Sequence, residues 1–261
     1  MIIDSHCHID FNDFDLDREQ VLARASQLGI KKIIVPGVMQ KTWDKISRYC
    51  KQYPQLYPCF GLHPYYIEQH SENDLSLLKQ QIQQNTTVAV GECGLDFYLK
   101  DLDKTKQQFY FESQLDIARE FSLPVVIHAR KSTEEIIKTL KRRPGLNGMI
   151  HSYSGSYEQA VQLIDLGFYL SFGGPVTYEK SSRLRKLVQS LPLESILVET
   201  DAPDQPVAKA SVYNARAANS RRNEPAYITD VVDTIAQLHN KNREEIAAIT
   251  TENANRLFQL V

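Results

Sequence analysis

The sequence predicts an α/β chain folded as one (β/α)8 TIM barrel over residues 1–261, with its reactive groups at the C-terminal ends of the strands. Three observations lead there. Eight short runs rich in β-branched and aromatic residues recur along the chain, and amphipathic segments with helical spacing separate them. The length of 261 residues lies near the ~250 typical of that barrel. An open α/β sheet is the alternative, but the G-x-G-x-x-G turn of a dinucleotide-binding sheet is absent.

In order, the strands are expected within MIIDSHCHI, KKIIVPGV, YPCFGLHP, VAVGECGLDF, PVVIHARK, GMIHSYSG, FYLSFGG and ILVETDAP. Helices are expected over Arg18 to Leu28, Thr42 to Gln52, Asp74 to Gln84, Lys104 to Phe121, Thr133 to Lys141, Tyr157 to Leu166 and Ser181 to Ser190. Two more, Tyr227 to Leu238 and Arg243 to Leu260, close the chain. Each carries apolar residues at helical spacing, as with Leu115, Ala118 and Phe121, and several begin beside a Ser, Thr or Asp cap. No Gly/Ser-rich or Pro-rich linker interrupts the series, so a single domain is expected.

Composition narrows the class. A 42% hydrophobic and 24% charged chain is ordinary for a soluble globular protein. Cys7, Cys50, Cys59 and Cys93 form no C-x-x-C pair, and the start has neither the basic nor the apolar part of a secretory signal. A cytoplasmic protein with reduced thiols follows. No apolar run approaches the ~20 residues that cross a bilayer, so no membrane association is expected. A formal net charge of -2 argues against coating nucleic acid by bulk charge, while leaving room for a local basic groove.

Metal-capable side chains gather at the strand ends. The first strand ends in His6 and His8, the third in His63, the fourth in Glu92, the fifth in His128, the sixth in His151 and the eighth in Asp201. In a strand, positions two apart share a face, so His6 and His8 aim together. Imidazole and carboxylate without thiolate suit Zn, Mn, Ni or Co, with Mg at a carboxylate-rich position. His6, His8 and Asp201 are expected to hold one ion, and His128 and His151 a second, with Glu92 bridging. A pair of ions about 3.5–4 Å apart activates water and stabilises a leaving oxygen, which is hydrolytic chemistry. Cys7 and Cys93 are expected to face the helices as buried core thiols.

These residues resemble the TatD-type metal-dependent deoxyribonucleases of the amidohydrolase superfamily, across nearly the whole chain. The landmarks are DSHCHID, GLHP at Gly61 to Pro64, GECGLDF at Gly91 to Phe97, IHAR at Ile127 to Arg130, HSYSG at His151 to Gly155, ETDAP at Glu199 to Pro203 and RNEP at Arg222 to Pro225. ETDAPDQP looks most like the YjjV-type branch. The resemblance implies a barrel with up to two divalent ions, His6, His8, Glu92 and Asp201 binding one and Glu92, His128 and His151 the other. It also implies cleavage of DNA, often by Mg-dependent 3′-5′ exonuclease action; related members remove D-amino acids from tRNA. Glu92 stands where many binuclear amidohydrolases carry a carboxylated lysine. Asp204 departs from the aromatic or apolar residue common after DAP and adds negative charge near the mouth.

Further roles follow from placement. Between Asp204 and Glu224 the chain has Lys209, Arg216, Arg221 and Arg222 and no acidic residue, a segment suited to gripping phosphate or to pairing with helix carboxylates. Arg130 shares the face of His128 and either holds a phosphate or pairs with a carboxylate. His63 either donates to the same phosphate or fixes its own turn. Glu199 is expected to orient a ligand from behind, Asp96 to steady the loop behind Glu92, and Asp4 either to orient a ligand or to pair in the core. Tyr65, Tyr66, Phe97, Tyr98 and Tyr153 are placed at the rim, where rings can stack on bases. The function expected is a metal-dependent deoxyribonuclease in which a metal-activated water attacks phosphorus, with Asp201 as general base and Glu92 as the second catalytic carboxylate. The alternative keeps the metals and breaks an ester or amide, as in a D-aminoacyl-tRNA deacylase. DNA or another phosphodiester or ester is the expected partner, with a monomeric protein.

Overall fold

The computed structural model describes residues 1–209 and 222–260. Eight strands follow one another in chain order through one sheet: β1 (Ile2–Asp4), β2 (Ile30–Pro36), β3 (Leu56–Phe60), β4 (Ala89–Asp96), β5 (Val125–Arg130), β6 (Gly148–Ile150), β7 (Phe168–Phe172) and β8 (Ile196–Val198). A helix lies between each strand and the next: α1 (Arg18–Gln27), α2 (Trp43–Gln52), α3 (Glu72–Gln84), α4 (Lys104–Glu120), α5 (Thr133–Lys141), α6 (Tyr157–Asp165) and α7 (Ser182–Ser190). After β8 come α8 (Ile228–His239) and α9 (Arg243–Phe258). This is the (β/α)8 TIM barrel expected from the sequence.

The chain divides into two compact units, Met1–Ile34 with Ser171–Arg256, and Val35–Leu170 with Leu257–Val261. The first draws on both ends of the chain, so no linker in the sequence marks it.

Within the first unit, β1 pairs in parallel with β2, Asp4 opposite Ile33. The strand expected to reach Ile9 ends at Asp4, yet the next residues stay tied on both sides. Ser5 N–H donates to Val198 O (3.0 Å), Cys7 N–H to Ile34 O (3.0 Å) and His8 N–H to Ala202 O (2.8 Å). Beyond them the buried Arg18 of α1 donates through Nε to Ile9 O (2.8 Å) and through Nη2 to Phe11 O (3.1 Å). The segment carrying His6 and His8 is therefore held at both ends without being a formal strand.

Within the second unit, β4 is buried along all eight residues, and it runs parallel to β5 with Gly94 opposite His128 and Asp96 opposite Arg130. The glycines of GECG explain how two strands come this close. A Cβ on Gly91 would stand 2.6 Å from Val126 O, and one on Gly94 2.1 Å from His128 O. Both sit at positive φ, 148° and 140°, which L side chains rarely adopt.

Helix starts follow their caps. α3 begins at Glu72, two residues before its expected start, because Ser71 and Asp74 form a capping box there. Asp103 caps α4 by accepting from Thr105 N and Lys106 N. α4 also carries two fully buried glutamines. Gln107 accepts from Asp96 N (2.8 Å) and donates to Asp96 O (3.2 Å), while Gln114 accepts from Leu62 N (2.7 Å) and donates to Leu62 O (3.1 Å). Each amide satisfies a backbone pair at a strand end, beside Asp96 and beside His63.

Among the described residues no helix is long and apolar enough to cross a membrane. Cys7 and Cys93 are fully buried, as expected, and burial pushes both thiols above their ordinary pKa.

Candidate metal centre

Each unit assembles its own group of donors. In the first, Nε2 of His6 and Nε2 of His8 lie 3.2 Å apart, and Asp201 Oδ1 is 3.5 Å from the former and 3.6 Å from the latter. Two donors each about 2.1 Å from one divalent ion stand roughly 3.0–3.4 Å apart at octahedral or tetrahedral angles. The three side chains are all buried; the two imidazole nitrogens meet that test, and Asp201 Oδ1 stands 0.1–0.2 Å beyond it, a gap that a small turn of the carboxylate closes around a shared ion. His8 is further fixed by stacking on Phe11, centroids 4.5 Å apart at 21°. β8 ends at Val198, so strand parity does not place Asp201. A left-handed residue does, with φ 54° and its N–H on His6 O (2.9 Å).

In the second unit Glu92 Oε1 is the centre. His63 Nε2 lies 3.1 Å from it, His128 Nδ1 3.1 Å and His151 Nε2 3.0 Å, and the last two nitrogens are 3.2 Å apart. His128 turns its other nitrogen, Nε2, to Asp96 Oδ2 (3.2 Å), the arrangement that leaves Nδ1 for a metal. Burial opposes protonation of His128, but the bonds to Asp96 and Glu92 outweigh it and raise its pKa. Burial likewise disfavours the charge on Asp96, yet His128, the Tyr98 N–H and Arg130 hold its carboxyl below the ordinary range.

His63 differs from its neighbours. Its Nδ1 accepts the N–H of Tyr65 at 3.0 Å, and burial pushes its pKa down to about 4, so the ring is neutral with its proton on Nε2. That proton points to Glu92 Oε1. His63 is thereby a donor to whatever oxygen lies there, while His128 and His151 offer lone pairs. Its own carbonyl is bonded to His70 Nε2 (2.9 Å).

Asp4 and Glu199 are wholly buried. Asp4 Oδ1 accepts from Thr200 N (3.0 Å) and from His6 N (3.3 Å), and Oδ2 from the Thr200 hydroxyl (2.5 Å). Burial, with a smaller push from Glu199 and against the Thr200 bonds, lifts the Asp4 carboxyl to about 8. Because that lies above the unfolded value of 3.8, the folded chain keeps a proton that the unfolded chain releases. The resulting stability falls as pH rises from about 4 toward about 8. Asp4→Asn keeps an oxygen to accept from Thr200 N, can donate from its Nδ2 to the Thr200 hydroxyl in place of accepting from it, and does not titrate. In metal-stripped protein, its Tm is expected to fall less than that of wild type between about pH 5 and about pH 8; parallel melting curves would reject the buried neutral carboxyl.

The remaining expected residues are distributed as follows. Arg130 is about half exposed, its Nη1 3.9 Å from Asp96 Oδ2 and its guanidinium 3.8 Å from the centre of the Tyr98 ring. Arg222 donates to Asp17 (2.8 and 2.6 Å), Glu224 (2.9 Å) and Asp13 O (2.7 Å), an intramolecular network that takes up its guanidinium. Lys209 is exposed, and Arg216 and Arg221 lie outside the described residues. Of the rim aromatics, Tyr65 and Tyr98 are exposed, whereas Tyr153 is buried with its hydroxyl donating to Ser156 O (2.7 Å). Sequence reasoning passed over four amides: Gln107 and Gln114 at strand ends, Gln205, and Asn223. The last is fully buried and donates to Thr200 O (2.8 Å) and Gln205 O (3.0 Å). Only the N of RNEP signalled any of them.

Residues 3–259 match the family described as TatD related DNase. The chain is 34% identical over 262 residues to YabD of Bacillus subtilis, an uncharacterized metal-dependent hydrolase, with 100% of both chains covered. It is 35% identical to YjjV of Escherichia coli, also an uncharacterized metal-dependent hydrolase, over 99% of this chain and 98% of that one. The crystal structure of that protein superposes with a TM-score of 0.91, covering 100% of this chain and 98% of the other.

Proposed function

This chain belongs to the TatD related DNase family and is a metal-dependent hydrolase, and from that premise we propose that it cleaves DNA at phosphodiester bonds, by 3′-5′ exonuclease action. The observation that carries the reading is the pair of donor groups with, at the edge of the second, the half-exposed Arg130 guanidinium beside Asp96. His6, His8 and Asp201 would hold one divalent ion, and Glu92, His128 and His151 another, from among Mg, Zn, Mn, Ni and Co. Bound there, such ions supply Lewis acidity that makes water a better nucleophile and offsets phosphate charge.

The side chains supply the rest. Asp201 Oδ2 keeps a lone pair after accepting one N–H and takes the proton of the attacking water. His63 donates its Nε2 proton to a phosphate oxygen, a neutral donor at neutral pH. Arg130 forks two hydrogen bonds to the phosphate, and Asp96 keeps His128 in the required tautomer. Glu92 brings negative charge among three imidazoles.

Purified protein loaded with each ion in turn is to be given 5′-labelled single-stranded oligonucleotides and, in parallel, D-aminoacyl-tRNA. Stepwise shortening from the 3′ end is expected. Intact DNA beside a hydrolysed aminoacyl ester would overturn this reading in favour of the deacylase alternative.

A further inference from the structure

We propose that Gln205 is a positioning residue for the first metal site: its side-chain amide holds Oδ2 of Asp201 and so decides that Oδ1 is the oxygen turned to His6 and His8. The bond from Gln205 Nε2 to Asp201 Oδ2 is 2.6 Å, while Oδ1 faces the two imidazole nitrogens at 3.5 and 3.6 Å. The terminal torsion of an aspartate is broad and roughly two-fold, so without a tether the two oxygens exchange and either one, or both, can meet an ion. An amide N–H on one of them removes that freedom and leaves a one-oxygen ligand.

Gln205 is itself held. Asn223 Nδ2 bridges Thr200 O and Gln205 O, joining the two ends of the turn that contains Asp201. Inside the turn Asp204 N–H donates to Asp201 O (2.9 Å), and Asn223 N–H donates to Pro203 O (2.9 Å). Asp201 and Gln205 both occupy the left-handed region, φ 54° and 49°, a conformation uncommon for side-chain-bearing residues and kept here by those four bonds. The buried amide of Asn223 thus sets the turn, and the partly exposed amide of Gln205 sets the carboxylate. Partners behind a metal ligand typically govern 10–100-fold in affinity.

The inference rests on the reading that His6, His8 and Asp201 bind an ion. The test is Gln205→Met, which keeps the length and apolar stem and lacks the donor, titrated with Co2+ by calorimetry and by visible absorption. Affinity at this site is expected to fall about tenfold or more, with a changed Co2+ absorption band, while the Tm of metal-free protein moves by no more than about 2 °C. Gln205→Leu, which also lacks the donor and adds no charge, is expected to lose the same affinity and serves if the Met variant does not fold. Wild-type affinity and spectrum in a folded variant of either kind overturn the assignment. A His8→Ala protein that takes up as much Co2+ as wild type overturns the metal site itself, and this inference with it.

Discussion

Glu92→Ala loses turnover on single-stranded oligonucleotides by about 10³-fold or more, since several kcal/mol of Lewis-acid assistance disappear at about 1.4 kcal/mol per decade of rate. Glu92 Oε1 is the one oxygen that His63, His128 and His151 all approach, at 3.0–3.1 Å. Its removal takes the only carboxylate from that donor group and leaves His63 without the acceptor of its Nε2 proton. Glu92→Gln keeps the shape and loses the charge, and it is expected to fall nearly as far, because a neutral amide oxygen is a weaker ligand than a carboxylate. Two measurements check this: kcat with saturating metal, and metal content per chain. Activity within tenfold of wild type in the alanine variant would remove Glu92 from the chemistry. A deacylase would lose its activity equally, so this variant tests the site and not the bond it breaks.

Gly94→Ala is expected to cost about 3 kcal/mol or more in folding stability, through overpacking and a backbone conformation that alanine resists. In a chain of this size that lowers Tm by roughly 6–12 °C. A methyl at this position would stand 2.1 Å from His128 O and 2.9 Å from His128 N, so β4 and β5 must separate at His128, within their paired stretch. The variant is therefore expected to lose metal affinity at the Glu92 group beyond its loss of stability. Differential scanning calorimetry with and without metal checks both effects. An unchanged Tm would show that the two strands can part without strain.

How much of this could be read from the sequence depended on where periodicity applies. The nine helices of the described residues lie within about two residues of their expected bounds, since amphipathic spacing and capping residues act locally. Strand ends were less legible. The runs through His8 and Asp201 were expected to be extended throughout, but β1 ends at Asp4 and β8 at Val198. His6 and His8 still converge, because their segment is hydrogen-bonded on both sides as a strand would be. Asp201 arrives by a left-handed turn that no alternation pattern encodes. The amides were hidden for another reason: Gln107 and Gln114, two turns apart on α4, read as polar helix surface, and only the strand ends packed against them reveal two buried clamps. Arg222 could be read either way, and Asp17 and Glu224 provide it with partners inside the molecule.

The two donor groups differ in how far along the chain their members lie. His63, Glu92, His128 and His151 all come from the continuous stretch of the second unit, whereas His6 and His8 wait for Asp201, almost two hundred residues later. Proteins leave the ribosome from the N-terminus at roughly 5–20 residues per second. A growing chain therefore carries every donor of the Glu92 group while Asp201 has yet to be made, and the histidines synthesised first are the last to gain their carboxylate.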